Sequence, residues 1–328
     1  MSHDSRLRSI LAHNTGFDDP DRWIEYARNR GFKSIMAQNA PTCPGCGGAP
    51  RARWLGQYIY YSTLIRLKEC AACGLVWSDA LIDPSVVRQH FEAAYKDDEY
   101  FRVSRRAIFE HLCDVIAELS PIGGSVLDIG GARGDLMAEL VARRPDLRVT
   151  VNDISRAATD HASHQFGFGT LTGDVDVLSA YTGRFDVVVL SDVLYYEPRI
   201  SATWDALSRL VGDRGSVVIR VPNRYLLIRL GQMLYRMSRT SARSAMQDRV
   251  RFFNPEHVFV FRKPYLRRRL AEIGFTRVRA LPSPTLKQER LGWAAPLLFK
   301  AAAFAHRLSG QRAVLTPAMV VVGTERRI

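Results

Sequence analysis

Ser125-Val126-Leu127-Asp128-Ile129-Gly130-Gly131-Ala132-Arg133-Gly134-Asp135-Leu136 decides the fold of this chain. An apolar run ends in an acid, passes a glycine-rich turn and enters a helical pattern. A strand buried on both faces reads as such a run, and open α/β sheets bind ligands beyond the carboxyl ends of their strands. The glycines let the backbone approach a ligand closely. A second run over 148–152 ends at Asp153, about 20 residues past the turn, the spacing at which an acid bonds ribose hydroxyls. Further apolar runs lie at 185–194 and 215–223 with helical patterns between them, so 124–223 predicts a doubly wound parallel sheet of the α/β class. The first crossover helix is expected from Asp135 to about Arg143, its amino end presenting amides to a ligand carboxylate.

The dinucleotide signature Gly-x-Gly-x-x-Gly is absent. Asp128-x-Gly130-Gly131-x-x-Gly134 followed by Asp153 resembles instead the cofactor turn of class I S-adenosylmethionine-dependent methyltransferases. The resemblance continues through Gly173-Asp174, the strand 185–194, which includes Ser191-Asp192-Val193-Leu194, and 215–223, which closes on Val221-Pro222-Asn223. It implies a Rossmann-like sheet with S-adenosylmethionine as cofactor. By resemblance Asp128, Gly130, Gly131 and Gly134 border the methionine part, Asp153 takes the ribose hydroxyls, and Asp174 approaches the adenine amine. Ile154 and Val175 follow those acids in the cofactor set, and Ser191 and Asp192 edge the pocket. Asp128 as a strand-end cap and Asp174 as a turn former are the plainer readings. Ala132 stands where the family usually has its middle glycine, and its methyl group is expected to be tolerated with φ kept negative.

Four of the five cysteines form two knuckles, Cys43-Pro44-Gly45-Cys46 and Cys70-Ala71-Ala72-Cys73, with 23 residues between them. This pattern reads as a closed structural zinc site: four thiolates leave no open coordination position. Disulfides in a reducing compartment, or a redox pair, are the alternatives. The segments 53–61 and 63–67 read as ribbon strands between the knuckles. Cys70-x-x-Cys73-Gly74-Leu75-Val76-Trp77, with aromatic clusters at 91–95 and 99–101, looks like the zinc lobe found before many bacterial class I methyltransferase domains, including sugar C-methyltransferases. Cys113, on a helical pattern with Phe109, Leu112 and Ile116, is expected to be a buried apolar residue.

These readings divide the 328 residues into a helical arm at 1–40, a zinc lobe at 41–80, linking helices at 81–122 and a cofactor domain at 123–328 with insertions at about 225–255 and 283–312. The composition is ordinary for a globular protein, and no apolar run reaches the ~18 residues of a membrane span. The first residues lack a signal-peptide pattern, so the chain is expected to stay in the cytoplasm. The excess of 46 basic over 33 acidic residues favours anionic partners or reflects composition alone. The apolar segments 225–237 and 291–304 read as a lid on the core or as contacts with the inner membrane surface.

The expected activity is methyl transfer to a hydroxyl or carbon of a small molecule, sugar or lipid-linked glycan precursor. A non-catalytic binding module and an RNA methyltransferase are the competing readings. No Asn-Pro-Pro-Tyr-like motif of amino-directed enzymes occurs, although zinc and positive charge suit RNA. His257, in Asn254-Pro255-Glu256-His257, is the candidate base, with a structural histidine as the alternative. Tyr195 and Tyr196 stand where the family often has Glu-His, as candidates to orient an acceptor or as packing aromatics. Gly274-Phe275 is expected to end a helix and open a strand, with a final strand near 317–323.

Overall fold

The computed structural model describes residues 35–37, 42–48, 52–60, 63–78, 80–82, 98–181, 184–225, 228–229, 257–284 and 294–327. The chain forms two compact units, Met1–His90 with Arg224–Arg262, and Phe91–Asn223 with Lys263–Ile328.

The first unit contains β1 (Ile35–Ala37), β2 (Ala52–Tyr60), β3 (Thr63–Cys70), β4 (Val76–Ser78), β5 (Ala80–Ile82) and β11 (Phe259–Val260). An antiparallel sheet runs in the order β11-β4-β3-β2, and β1 pairs with β5. The ribbon strands expected between the knuckles are therefore β2 and β3. Two expectations change. Ile35–Ala37 is a strand rather than part of a helical arm, because it pairs with Ala80–Ile82. Residues 257–262 join the cysteine-bearing unit rather than the cofactor domain, since Phe259 pairs with Trp77 and Val260 with Val76. The rest of the arm, the helical pattern at 84–91 and most of the segment 225–237 lie outside the described residues.

The second unit is built on a seven-stranded sheet. Its elements are α1 (Asp98–Leu119), β6 (Ser125–Ile129), α2 (Asp135–Arg143), β7 (Arg148–Asp153), α3 (Arg156–Phe166), β8 (Gly169–Thr172), α4 (Val175–Ala180), β9 (Phe185–Ser191), α5 (Ile200–Leu210), β10 (Val211–Pro222), α6 (Lys263–Glu272), β12 (Phe275–Ser283), α7 (Ala294–Leu308) and β13 (Ala318–Arg326). The order is β12-β13-β10-β9-β6-β7-β8. Strands β8, β7, β6, β9 and β10 are parallel, and β13 runs antiparallel between β10 and β12.

The apolar runs fill the middle of this sheet because side chains on both faces are covered. Val126, Leu127, Val187, Val189 and Val218 are fully buried. Ile108, Leu112 and Ile116 of α1, at four-residue spacing, join that core. Cys113 is buried with them, its Sγ 3.8 Å from the Leu136 carbonyl, and burial pushes its thiol up to about 12. Gly274, at φ +101°, ends the α6 segment, and β12 opens at Phe275 as the sequence indicates.

Candidate active site and metal centre

Strand β6 hydrogen-bonds β7 on one side and β9 on the other, so the connections leave it in opposite directions. At such a reversal the loops beyond the carboxyl ends part and leave a crevice. The residues around it are the turn 130–134 after β6, Asp153 at the end of β7, and Ser191 and Asp192 at the end of β9. Gly130 has φ +67°, and a Cβ there would lie 2.4 Å from Val193 Cγ2, so conformation and space both demand glycine. At Gly131 a Cβ would fall 2.7 Å from Asp128 Oδ2. Gly134 is the left-handed N-cap of α2.

Asp128 is 1% exposed, and its Oδ1 has no hydrogen-bond partner. Burial, followed by the charge of Asp153, raises its carboxyl to about 8. Asp153 is buried as well. Its Oδ2 accepts from the Ala132 N–H at 3.0 Å and its Oδ1 from the Ser155 N–H at 2.9 Å, tying the glycine turn to the end of β7. Ala132 corrects an expectation: its φ is +50°, not negative. With its N–H held by Asp153, the positive φ turns the following chain toward Gly134 and α2.

Asp192 also has a positive φ, +59°. Its carboxylate pairs with Arg220, and Arg105 reaches the same oxygen at 3.3 Å. Arg220 further donates through Nε to Ser283 Oγ at 2.9 Å and through its other terminal nitrogen to the Pro284 carbonyl at 2.8 Å. The sequence reading missed Arg220 and Arg105. A signal was available: Arg220 interrupts a run buried on both faces, and a buried guanidinium needs acceptors. Ser191 Oγ is buried and lacks a hydrogen-bond partner. Tyr195 and Tyr196 follow, with rings 4.6 Å apart. Tyr195 is buried, which raises its phenol well above the usual range.

Asp174 is the N-cap of α4, accepting from the Asp176 N–H at 3.0 Å, and it pairs with Arg199 at 2.9 Å. Its turn-forming role is thus present. Val175 is buried in the first turn of α4, and Ile154 is half-buried beside Asp153.

In the first unit the sulfurs of Cys43, Cys46, Cys70 and Cys73 lie within 4.8 Å of one another. The pairs Cys43–Cys73 and Cys46–Cys70 are 3.4 and 3.8 Å apart. Tetrahedral Zn–S bonds of about 2.3 Å place sulfurs about 3.8 Å apart, so the donor set fits that ion. The knuckles are alike: the Gly47 N–H donates to the Cys43 carbonyl and the Gly74 N–H to the Cys70 carbonyl, each at 2.8 Å. The Gly45 and Cys73 amides point at Sγ of Cys43 and Cys70. The Cys43 thiol hydrogen-bonds Cys73, lowering Cys73 to about 5 and raising Cys43 above the usual range. Behind the second knuckle, buried Glu69 accepts from the Tyr225 hydroxyl at 3.0 Å and from Arg262, whose guanidinium stacks on the Tyr225 ring at 4.1 Å.

His257 belongs to this first unit, not to the unit that carries the strand-end residues. Burial, then Arg224, holds its imidazole well below the usual histidine range. Among the described residues no helix is long and apolar enough to cross a membrane.

A sheet with this order, one antiparallel strand next to its last edge and a glycine turn at the reversal defines the class I methyltransferase fold. The methyltransferase-domain family matches residues 67–280, and the chain belongs to it, within the S-adenosylmethionine-dependent class. Curated relatives include the ribosomal RNA small subunit methyltransferase C of Enterobacter sp. (strain 638), 29% identical over 139 residues, which are 39% of this chain and 41% of that protein. The protein of that name from Erwinia tasmaniensis is 31% identical over 107 residues, 31% of this chain and 30% of that protein. The chain thus spans about two fifths or less of the length of these relatives. Among solved structures it is similar to a putative methyltransferase in complex with the Haloferax volcanii Trm112 activator, 14% identical with a TM-score of 0.48 over 72% of this chain and 98% of that one. Magnesium protoporphyrin IX methyltransferase of Synechocystis, solved with bound S-adenosylhomocysteine, is 16% identical with a TM-score of 0.47 over 74% and 99%.

Proposed function

We propose that this chain binds S-adenosylmethionine at the β6, β7 and β9 strand ends and transfers its methyl group to a hydroxyl or carbon of a small molecule, sugar or lipid-linked glycan precursor. The observation that carries the reading is the pair of buried polar atoms without partners, Asp128 Oδ1 and Ser191 Oγ, beside a glycine turn at the sheet reversal. Buried polar atoms without partners are costly, and a polar ligand supplies partners. When bound, the cofactor offers an electrophilic methyl on a sulfonium centre. Gly130, Gly131 and Gly134 shape the turn around its methionine part, and Asp128 lies beneath that turn. Asp153, with Ile154 beside it, receives the ribose hydroxyls. Asp174 and Val175 border the adenine, and Ser191 and Asp192 form the pocket edge. Orientation of the acceptor against the methyl contributes much of the rate in such a displacement. Tyr195 and Tyr196 form the acceptor-side wall. His257, buried in the first unit with its imidazole held well below the usual histidine range, is given no step and keeps its structural reading. Cys43, Cys46, Cys70 and Cys73 hold structural Zn²⁺.

Within this reading the protein works in the cytoplasm, in peripheral contact with the inner membrane when its acceptor is lipid-linked. RNA methylation is the second reading, favoured by the ribosomal RNA names of the curated relatives and the net charge of +13. Against it stands the end of β9, where Ser191-Asp192-Val193-Leu194 replaces an Asn-Pro-Pro-aromatic motif and Asp192 is taken up by Arg220. Calorimetric titration with S-adenosylmethionine, S-adenosylhomocysteine and NAD tests the cofactor. Selective binding of the two sulfur compounds, weakened about tenfold or more by Asp153→Ala, is expected, on the scale of a lost charge-assisted hydrogen bond. Unchanged affinity in the variant removes the Asp153 assignment. Binding without turnover on any acceptor extract favours the non-catalytic module.

A further inference from the structure

Helix α7 carries two apolar faces. The inner one packs on its own unit: Phe299 meets the His111 ring edge-on at 6.5 Å, and His306, 5% exposed, bonds the Ala313 carbonyl through Nδ1 at 2.8 Å. At about 100° per residue, Leu297, Ala301, Phe304 and Leu308 fall together on the opposite side. Leu297, Phe304 and Leu308 are 56%, 62% and 73% exposed, and Leu315 just beyond the helix is 59% exposed. A surface helix ordinarily presents polar residues opposite its buried stripe. Scattered exposed apolar residues need no explanation, but a continuous stripe marks a contact surface.

The charges beside this stripe point to its partner. Exposed Lys300 and Arg307 flank one edge, and exposed Arg312 follows the helix. From 291 to 324 the chain has these three Lys and Arg residues and no Asp or Glu. Basic side chains beside an apolar face suit an interfacial helix, whose apolar side enters the acyl boundary while Lys and Arg reach lipid phosphates. A second copy of the chain fits less well, because the segment 291–324 offers no acidic side chain to meet Lys300 and Arg307. Nucleic acid offers phosphates but no apolar layer for Phe304 and Leu308.

We propose that the outer face of α7, formed by Leu297, Phe304 and Leu308 with Lys300, Arg307 and Arg312 at its edge, docks on an anionic lipid surface. This gives the peripheral contact of the functional reading a location, and its test is read without methyl transfer. Full-length protein is sedimented with phosphatidylcholine vesicles, with or without phosphatidylglycerol. Binding about tenfold or more tighter to the anionic vesicles is expected, with Lys300→Ser and Arg307→Ser each weakening it about fivefold. Phe304→Glu with Leu308→Glu abolishes it, while the thermal midpoint and circular dichroism stay unchanged because both residues are exposed. Equal binding to the two vesicle types, or anionic binding that survives Phe304→Glu with Leu308→Glu, overturns the proposal. A dimer dispersed by that double variant in the absence of vesicle binding overturns it in favour of self-association.

Discussion

Arg220 and Asp192 form an ion pair in which the two side chains are 3% and 4% exposed. One is the last strongly polar group of β10 before Pro222, and the other is the residue that follows β9, held at φ +59°. The Asp192 N–H also donates to the Arg220 carbonyl at 3.1 Å. Backbone and side chain together pin the loop end on which the proposed pocket edge depends.

Arg220→Met therefore leaves a buried carboxylate with Arg105 alone and leaves Ser283 Oγ and the Pro284 carbonyl without this donor. Removal of one partner of a buried pair costs about 3–5 kcal/mol. Urea unfolding of the variant is expected to show a loss of this order, and Arg220→Met with Asp192→Asn should recover part of it. A loss below about 1 kcal/mol, the value of an exposed pair, would contradict the arrangement.

Ala132→Gly is expected to stabilise the protein. A non-glycine residue in the left-handed region costs about 1–2 kcal/mol, whereas the added freedom of glycine in the unfolded chain costs about 0.4–1 kcal/mol. The net gain of about 0.5–1 kcal/mol appears as a higher thermal midpoint. Ala132→Val should lower it, because a β-branched side chain tolerates positive φ poorly.

The carboxyl of Asp128 lies at about 8 in the folded protein and near 4 when unfolded. A raised folded value means that its contribution is fully present below about pH 4 and is lost as pH rises towards 8. Relative to Asp128→Asn, the wild type should thus become progressively less stable across that window, as measured by unfolding at each pH. A difference independent of pH would show that Asp128 is ionised throughout.

Zinc content and stability should fall together in Cys43→Ser and Cys70→Ser, since a structural site couples metal binding to folding. About one zinc per chain by mass spectrometry or atomic absorption, lost on chelation with unfolding of the cysteine-bearing unit, is the expected outcome. A chelated protein with an unchanged unfolding profile would remove the structural role.

The end of β6 and the two knuckles were legible because their chemistry is local. An apolar run closed by glycine specifies a buried strand and tight turn, and two Cys-x-x-Cys pairs specify four converging sulfurs whatever links them. The span of α2 and the Gly274-Phe275 boundary were legible for the same reason. Asp174 was partly so: its N-cap is local, but its pairing with Arg199 is not. The positive φ at Ala132 was beyond reach, since its turn is held by a bond to Asp153 at the end of another strand.

Sequence by itself determined the sheet-building runs, the glycine turn of the proposed cofactor site, the sulfur donor set and the family to which they belong. Only tertiary structure decided which distant residues serve them. It brought Phe259 beside Trp77, Arg262 onto Glu69, and Arg220 and Arg105 onto Asp192. It also set the inner and outer faces of α7. Periodicity and turn chemistry act over a few residues, whereas burial and charge pairing depend on which segments the fold brings together.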